Sequence, residues 1–247
     1  FKAEDQALAL LSRAGLEGLS AEALQAAPAA TLVEAQEGFQ IPIVDGASIP
    51  AEPAQRFIEG HFNASLVSYM TGANSFEGSV MPWTGITDDA FAQWVSPWSG
   101  ELAKVYPSDW SAGAPLARTR LFGDLRYLAS AQTTLSAVCS ESIRCYAYFN
   151  DLPLSQPGGL QGAAHGSDAQ LFWGQFDGKS DALKRAGAAM RVTWSDFAKG
   201  NMAAVTSWSE WTQERPFWSA LPPGSGDQTP AINHRLKLVE DIYSERW

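Results

Sequence analysis

The spacing of apolar residues predicts strands that alternate with helices. Residues 64–71 form a short apolar run that ends at Gly72, and the β-rich run 143–149 ends at Asn150; each is typical of a buried strand. Between the two runs, apolar residues recur every three or four positions, as they do on the buried face of a long helix. The apolar positions of that helix are Leu121, Leu125, Leu128, Leu135 and Val138.

The rest of the chain is predicted to be mainly helical. Helices are expected over parts of residues 1–36, 87–106, 168–176 and 180–199, and around Val239 near the end. Ser20 is suited to be the N-cap of one of the first helices. Residues 39–60 carry Pro42, Pro50 and Pro53 and are expected to form loops and short extended pieces.

Strands that alternate with helices predict an α/β fold with a mostly parallel sheet flanked by helices. The functional loops of such sheets leave the carboxyl ends of the strands. Glu77 lies in the loop after the first strand, and His165 follows the second strand through a Pro/Gly-rich loop. If the two strands are neighbours, Glu77 and His165 can come within hydrogen-bonding reach. The carboxylate would then fix the imidazole tautomer, as in two thirds of a catalytic triad.

The third member of a triad is missing. A serine nucleophile of this chemistry sits on a G-x-S-x-G elbow, and no such pentapeptide occurs in the 247 residues. Ser167 is a weak substitute because it lies close to His165 in sequence and on no elbow. Asp168 could be the carboxylate partner instead, although its position suits the start of a helix. Glu77 could also be a simple turn cap, and His165 a packed loop residue.

Composition excludes several classes of partner. The chain has 45% hydrophobic and 18% charged residues, enough to form one large domain or most of one. Its net charge is −10, with 17 Lys and Arg, which disfavours nucleic acids and acidic membrane surfaces. No apolar run approaches the ~20 residues that span a bilayer. The first residues lack a signal peptide, and the absence of an initiator Met suggests a chain cut from a longer one.

Several segments together resemble the type-B carboxylesterases, the family that includes cholinesterases and para-nitrobenzyl esterases. The two most specific are the acid loop, GANSFEG at residues 72–78, and the histidine motif, GAAHGSD at residues 162–168. The remaining matches are residues 39–63, 146–149, 172–174 and 194–201. The resemblance covers nearly the whole chain, but only the C-terminal half of the family's α/β-hydrolase fold.

The resemblance implies that Glu77 is the triad acid and His165 the general base of a carboxylic-ester hydrolase. In the family, the serine elbow and the glycine-rich oxyanion loop belong to the N-terminal half, and neither motif occurs here. Residues 1–247 are therefore expected to be the C-terminal part of a single domain. An N-terminal chain of the same precursor, cut before Phe1, would supply the serine for a small-molecule ester. The alternatives are a non-catalytic interaction domain of the same fold and, more distantly, a stand-alone α/β binding domain.

The two cysteines bear on the cellular location of the protein. Cys139 and Cys145 could form a short disulfide or be two buried thiols. The resemblance favours the disulfide, and with it a periplasmic or secreted location, because many members of the family are exported. The cysteine spacing does not suit zinc, and the three histidines are far apart in sequence. We therefore expect no metal site and no cofactor.

Ten tryptophans are many for this length, and most are expected to pack in the core. Trp83 and Trp173 are the best candidates for an apolar acyl or alcohol pocket, because each lies within ten residues of a proposed triad member. His61 and His234 are expected at the surface.

Overall fold

The structure of the chain is a computed structural model. It describes residues 3–37, 43–153, 162–174, 180–201, 208–223 and 225–246. Contacts divide the chain into two compact units. The first is Phe1–Glu52 with Trp83–Gly85, and the second is Pro53–Pro82 with Ile86–Trp247. Most of the Pro/Gly loop predicted before Gly162 lies outside the described residues, as do residues 39–42 of the predicted loop region and the predicted helix end at residues 175–176.

The described part of the first unit contains three helices: α1 (Ala3–Arg13), α2 (Ala21–Ala26) and α3 (Ala29–Glu34). Ser20 caps α2, as the sequence predicts, by accepting a hydrogen bond from the Ala23 amide at 3.3 Å. The Arg13 side chain donates to the Ala35 carbonyl at 2.8 Å and ties α1 to the end of α3. Every described side chain from residue 4 to residue 52 is at least partly exposed.

Within its described residues, the second unit contains a parallel sheet of three strands in the order β1-β2-β3, as predicted for an α/β fold. The strands are β1 (Ser68–Asn74), β2 (Arg144–Asn150) and β3 (Trp218–Leu221). Asn74 pairs with Asn150 in register, so β1 and β2 end at the same edge of the sheet. The sequence analysis missed β3, because four residues are too few to show a strand's alternation.

Strand β1 extends three residues beyond the predicted end at Thr71. A Cβ at Gly72 would lie 2.3 Å from the Tyr148 carbonyl oxygen, closer than any side chain tolerates. Gly72 therefore lets β1 approach β2 closely, and it continues the strand where the sequence analysis read it as a stop. Strand β2 was predicted to within one residue at each end.

Nine helices surround the sheet in the described part of the second unit. They are α4 (Pro53–Ile58), α5 (Asp88–Val95), α6 (Ser99–Val105), α7 (Pro107–Ala112), α8 (Ala114–Gly123), α9 (Ala129–Val138), α10 (Ser167–Trp173), α11 (Asp181–Ala198) and α12 (Thr229–Arg246). Two 3₁₀ segments, Glu77–Trp83 and Ser96–Trp98, and a π-helical segment, Asp124–Leu128, complete the set. The prediction of only loops and extended pieces over residues 39–60 was wrong at α4, because Pro53 occupies its first turn, where proline is tolerated.

Helices cover both faces of the sheet. Alternate residues of β2 point to opposite faces, so Ala147 and Phe149 pack on one side while Tyr146 and Tyr148 face the other. The first side is covered by α9, with Leu135 fully buried, by Leu128 at the end of the π-helical segment, and by α12. The second side is covered by α10 and α11. Of the predicted apolar face of the long helix, Leu128, Leu135 and Val138 pack on the sheet. Leu121 and Leu125 instead pack with residues of α5, α6 and α12.

A disulfide joins Cys139 to Cys145 with the Cα atoms 5.8 Å apart. It links the end of α9 to the start of β2, in agreement with the predicted pairing. None of the helices within the described ranges is long and apolar enough to cross a membrane.

A buried ion pair connects the π-helical segment to α12. Arg235 donates to both carboxylate oxygens of Asp124, through Nε at 2.6 Å and through Nη2, and the Tyr106 hydroxyl donates to Asp124 at 2.6 Å. Burial alone would lower the pKa of Arg235, but the Asp124 carboxylate outweighs it and raises that pKa. Burial, followed by Asp124, raises the pKa of Tyr106 well above its ordinary value, so the hydroxyl keeps its proton.

We predict that Asp124→Asn destabilises the protein by about 3–5 kcal/mol, because it leaves the Arg235 charge buried without a counter-charge. The free energy of unfolding, from urea titration, is the measurement. Asp181→Asn is the matched control: Asp181 is 81% exposed beside Lys184, and losing that surface pair should cost under about 1 kcal/mol. Equal effects of the two substitutions would show that the buried pair does not stabilise the fold.

Candidate functional site

Glu77 lies three residues after the end of β1 and is buried, with 6% of its surface exposed. Its Oε1 accepts two hydrogen bonds from Asn74, one from the backbone amide at 2.7 Å and one from the side-chain amide at 2.9 Å. Its Oε2 lies 2.5 Å from Nδ1 of His165. The carboxylate is therefore fully engaged by neighbouring groups, and one of them is the predicted partner.

Backbone contacts bring the loop of His165 to the loop of Glu77. The Phe76 amide donates to the Ala163 carbonyl at 2.9 Å, and the Ala163 amide donates to the Ser75 hydroxyl at 2.9 Å. The amide of His165 itself donates to Oγ of Ser79 at 2.9 Å. Because β1 and β2 are neighbours that end together, residues 88 positions apart in sequence meet, as the sequence analysis expected.

The 3₁₀ turn that carries Glu77 is packed tightly on α8. A Cβ at Gly78 would lie 1.6 Å from the Thr119 carbonyl oxygen, and a Cβ at Gly123 would lie 2.4 Å from the Gly78 amide nitrogen. Only glycine fits at both positions, so the backbones touch directly. The position of Glu77 is thus set by backbone packing.

Two arginines, Arg235 buried and Arg120 partly buried, hold Ser75, which lies between β1 and this turn. The Ser75 carbonyl accepts a hydrogen bond from Nη1 of Arg120 at 2.5 Å and another from Nη2 of Arg235 at 3.2 Å. Arg120 pairs with Asp109, and Arg235 with Asp124, so both cations are balanced. The site therefore rests on the ion pairs of the core.

A second polar network lies beneath the Glu77–His165 pair. Asn74 accepts at Oδ1 from the Asn150 side chain at 2.7 Å, and its amide nitrogen donates to Asp168 at 3.1 Å as well as to Glu77. The Tyr148 hydroxyl donates to the other oxygen of Asp168 at 2.7 Å. Asp168 is therefore joined to the pair through an amide and does not replace Glu77. The sequence analysis missed Asn74 and Tyr148; an asparagine at the end of each strand was the available signal.

The hydrogen bond that Nδ1 of His165 donates to Glu77 raises the pKa of His165 above its ordinary value of 6.5, and the charges of Glu77 and Asp168 act in the same direction. Burial and the charge of Arg126 oppose the shift. Because Nδ1 faces a carboxylate, the neutral ring carries its proton there, and the lone pair of Nε2 is available. The side chain is 39% exposed, and Nε2 has no hydrogen-bond partner among the residues that the structure describes. The arrangement suits a general base.

The predicted pocket residues are both exposed. Trp173 ends α10, is 74% exposed and makes an edge contact with Phe172 at 5.0 Å between ring centroids. Trp83 is 69% exposed and belongs to the other compact unit. Their role in a substrate pocket stays a prediction.

The other residues weighed in the sequence analysis, Ser167, His61 and His234, lie outside the Glu77–His165 pair. Ser167 is buried at the start of α10, and its amide donates to the Ala164 carbonyl. His61 and His234 are exposed, as expected. Within the described ranges, no group of three or more His, Cys, Asp or Glu side chains could hold a metal ion.

Comparison with solved structures identifies the fold. Two structures of a PNB esterase match with TM-scores of 0.64 and 0.65 at 19% identity, covering 94% and 95% of this chain. The crystal structure of the Geobacillus stearothermophilus carboxylesterase EST55 at pH 6.2 matches with a TM-score of 0.66 at 19% identity over 95% of this chain.

No protein-family model matches the chain, and no curated protein does. The chain spans about half the length of the solved structures, 53% to 54% of each. It has the α/β-hydrolase fold that these esterases share.

We predict that Glu77→Gln lowers the pKa of His165, because it removes both the hydrogen bond and the charge that favour the imidazolium. The glutamine amide would also donate to Nδ1 and move the neutral ring's proton to Nε2. ¹⁵N NMR titration of the imidazole reports both changes. Glu59→Gln, beside the exposed His61, is the control and should leave His165 unchanged. A His165 titration that is the same in all three proteins would contradict the assignment.

The raised pKa also has a consequence for stability. Protonated His165 is favoured in the folded state, so its stabilising contribution is complete below pH 6.5 and is lost as the pH rises through the folded-state pKa. Denaturant titrations above pH 6.5 should show this loss in the wild-type protein. This loss of stability should be smaller in Glu77→Gln. An identical pH dependence of the two proteins would contradict the coupling between the protonation of His165 and stability.

Proposed function

We propose that the chain is part of a serine carboxylesterase and supplies the acid, Glu77, and the general base, His165, of a Ser-His-Glu triad. The observation that carries the proposal is the 2.5 Å contact of Oε2 with Nδ1, which leaves Nε2 to face a nucleophile. The shared fold with carboxylesterases supports it. A non-catalytic interaction domain has no need of a buried carboxylate bound to a half-exposed histidine.

The chemistry follows from the two side chains. Nε2 of His165 removes the proton of the serine hydroxyl as its oxygen attacks the ester carbonyl, and the imidazolium that forms is stabilised by Glu77. Nε2 then returns the proton to the oxygen of the leaving alcohol, and an acyl-enzyme remains. Water attacks the acyl group in a second cycle, in which the same nitrogen accepts and returns a proton.

The serine and the oxyanion hole are proposed to come from an N-terminal chain of the same precursor. The sequence contains no G-x-S-x-G elbow and no His-Gly-Gly tract, and the chain spans about half of the esterases that share its fold. Alone, the chain would be catalytically incompetent. With its partner it would form one α/β-hydrolase domain acting on a small-molecule ester.

The free edge of β1 is where the partner would add to the sheet. β1 pairs with β2 on one side, and no other strand among the described residues pairs with its second side. The seven-residue edge thus leaves backbone donors and acceptors available for a further strand. This edge lies next to Glu77, so a strand added there would bring its own loops to the triad pair.

The Cys139–Cys145 disulfide supports a periplasmic or secreted enzyme, because disulfides persist in oxidising compartments. Trp83 and Trp173 are proposed to contribute to the ester pocket of the complete enzyme, since both present large apolar surfaces to solvent in this chain.

Labelling with a fluorophosphonate, followed by denaturing mass spectrometry, tests the division of the active site. We expect the adduct on a second polypeptide, with this chain unmodified. A single unlabelled chain would contradict the two-chain enzyme, and an adduct on this chain would overturn the missing serine.

His165→Ala in the two-chain enzyme tests the role of the base. We expect ester hydrolysis to fall by roughly 10³-fold or more, because the serine loses its base. His234→Ala, at an exposed position of α12, is the control and should keep full activity. Near-normal hydrolysis by His165→Ala would show that the base is another group.

A further inference from the structure

The imidazole of His165 is held by a contact that the triad does not require. Tyr127 packs against it with 4.7 Å between ring centroids and 41° between the ring planes. Glu77 binds Nδ1 at one edge of the ring, and Ser79 binds the backbone amide. Among the described residues, Tyr127 supplies the aromatic ring that contacts the imidazole.

Tyr127 lies on the π-helical segment between α8 and α9. The Ala129 amide donates to the Asp124 carbonyl, a five-residue step that widens the helix. Asp124 and Leu128 are anchored in the core, with 2% and 1% of their surfaces exposed, while Tyr127 between them reaches His165. Single π-helical turns inside α-helices are rare and are frequent at functional sites. Here the turn lets one segment supply both a core ion pair and a ring against the histidine.

A hydrogen bond to Nδ1 alone does not fix an imidazole. The ring can still tilt about that bond and move Nε2, and proton transfer to a serine needs Nε2 within hydrogen-bonding distance. An aromatic ring in contact with the imidazole limits this motion. Contacts between aromatic rings are favourable beyond the contribution of the apolar area that they bury.

We propose that Tyr127 is a positioning residue that holds the ring of His165 so that Nε2 stays aimed at the nucleophile. This inference rests on the proposed function of His165 as general base. The phenol hydroxyl is not needed for it, since the contact is made by the ring.

Arg126 adds an electrostatic part to the same contact. Its guanidinium carbon lies 5.9 Å from the centre of the Tyr127 ring, within the range of a cation–π interaction. A cation there favours the ring's position and also lowers the pKa of His165, against the raising effect of Glu77 and Asp168. The pair Arg126–Tyr127 therefore acts on both the orientation and the basicity of the imidazole.

Steady-state hydrolysis by the two-chain enzyme, with Tyr127→Leu and Tyr127→Phe, tests the proposal. We expect Tyr127→Leu to lower kcat by about tenfold with little change in KM, because the base is misaligned in the transition state and ester binding is not affected. Tyr127→Phe should restore kcat to near the wild-type value. Tyr69→Leu makes the same change at a partly buried tyrosine of β1 bonded to Thr134, and should leave kcat unchanged.

Proton NMR gives a second readout that does not depend on hydrolysis. The proton between Nδ1 of His165 and Glu77 should give a low-field resonance, which we expect to broaden in Tyr127→Leu and to persist in Tyr127→Phe and Tyr69→Leu. Melting temperatures of the variants separate this effect from a general loss of stability.

The outcomes distinguish this inference from the proposed function. Unchanged kcat in Tyr127→Leu, or equal losses in Tyr127→Leu and Tyr69→Leu, would overturn the positioning role. If the wild-type protein hydrolyses no ester and no serine is labelled, the proposed function fails. The low-field proton resonance of His165 then still decides whether Tyr127 fixes the ring. An unaltered resonance in Tyr127→Leu would overturn the positioning role.

Discussion

The buried carboxylate of Glu77 is the constraint on which this structure depends. A charged group removed from water must be hydrogen-bonded, or the protein loses several kcal/mol of stability. Asn74 meets this need at one oxygen and His165 at the other. Because Asn74 ends β1 and His165 lies before α10, in the connection that follows β2, the neighbouring strands must bring these two segments together for the carboxylate to be tolerated. The same bonds that satisfy Glu77 also orient the imidazole.

The packing around Glu77 holds the site rigidly. The direct backbone contact of Gly78 with α8 fixes the position of the 3₁₀ turn that carries Glu77. Arg120 and Arg235 bind the Ser75 carbonyl, which precedes this turn. Both arginines are balanced by core aspartates. The π-helical segment belongs to both systems, because Asp124 pairs with Arg235 while Tyr127 rests on His165. Stability of the core and geometry of the site are therefore coupled through one helix.

The proposed reaction divides its requirements between two chains. In this proposal, this chain supplies the base His165 and the carboxylate of Glu77, which are in contact without the nucleophile. A preformed acid–base pair would lower the cost of assembly, since the proposed partner adds the serine hydroxyl and the oxyanion hole and leaves the pair unchanged. The proposed addition of a parallel strand at the free edge of β1 would bring that hydroxyl near the pair, because parallel strands end at the same edge of a sheet.

The sequence by itself predicted the two main strands and most helices, because each leaves a local pattern. Motifs and the family resemblance predicted the disulfide and the contact of Glu77 with His165, and the structure contains both. Apolar periodicity marks a buried helix face, and a motif marks an acid or a base. Tertiary structure alone decided that Gly72 continues β1, that WSAL at residues 218–221 is a strand, and that Tyr127 meets His165. Each of these depends on a neighbour distant in the chain: Tyr148 for Gly72, the β2 edge for β3, and the strand-end loop for Tyr127. Contacts between distant segments are set by packing, which a local pattern does not encode.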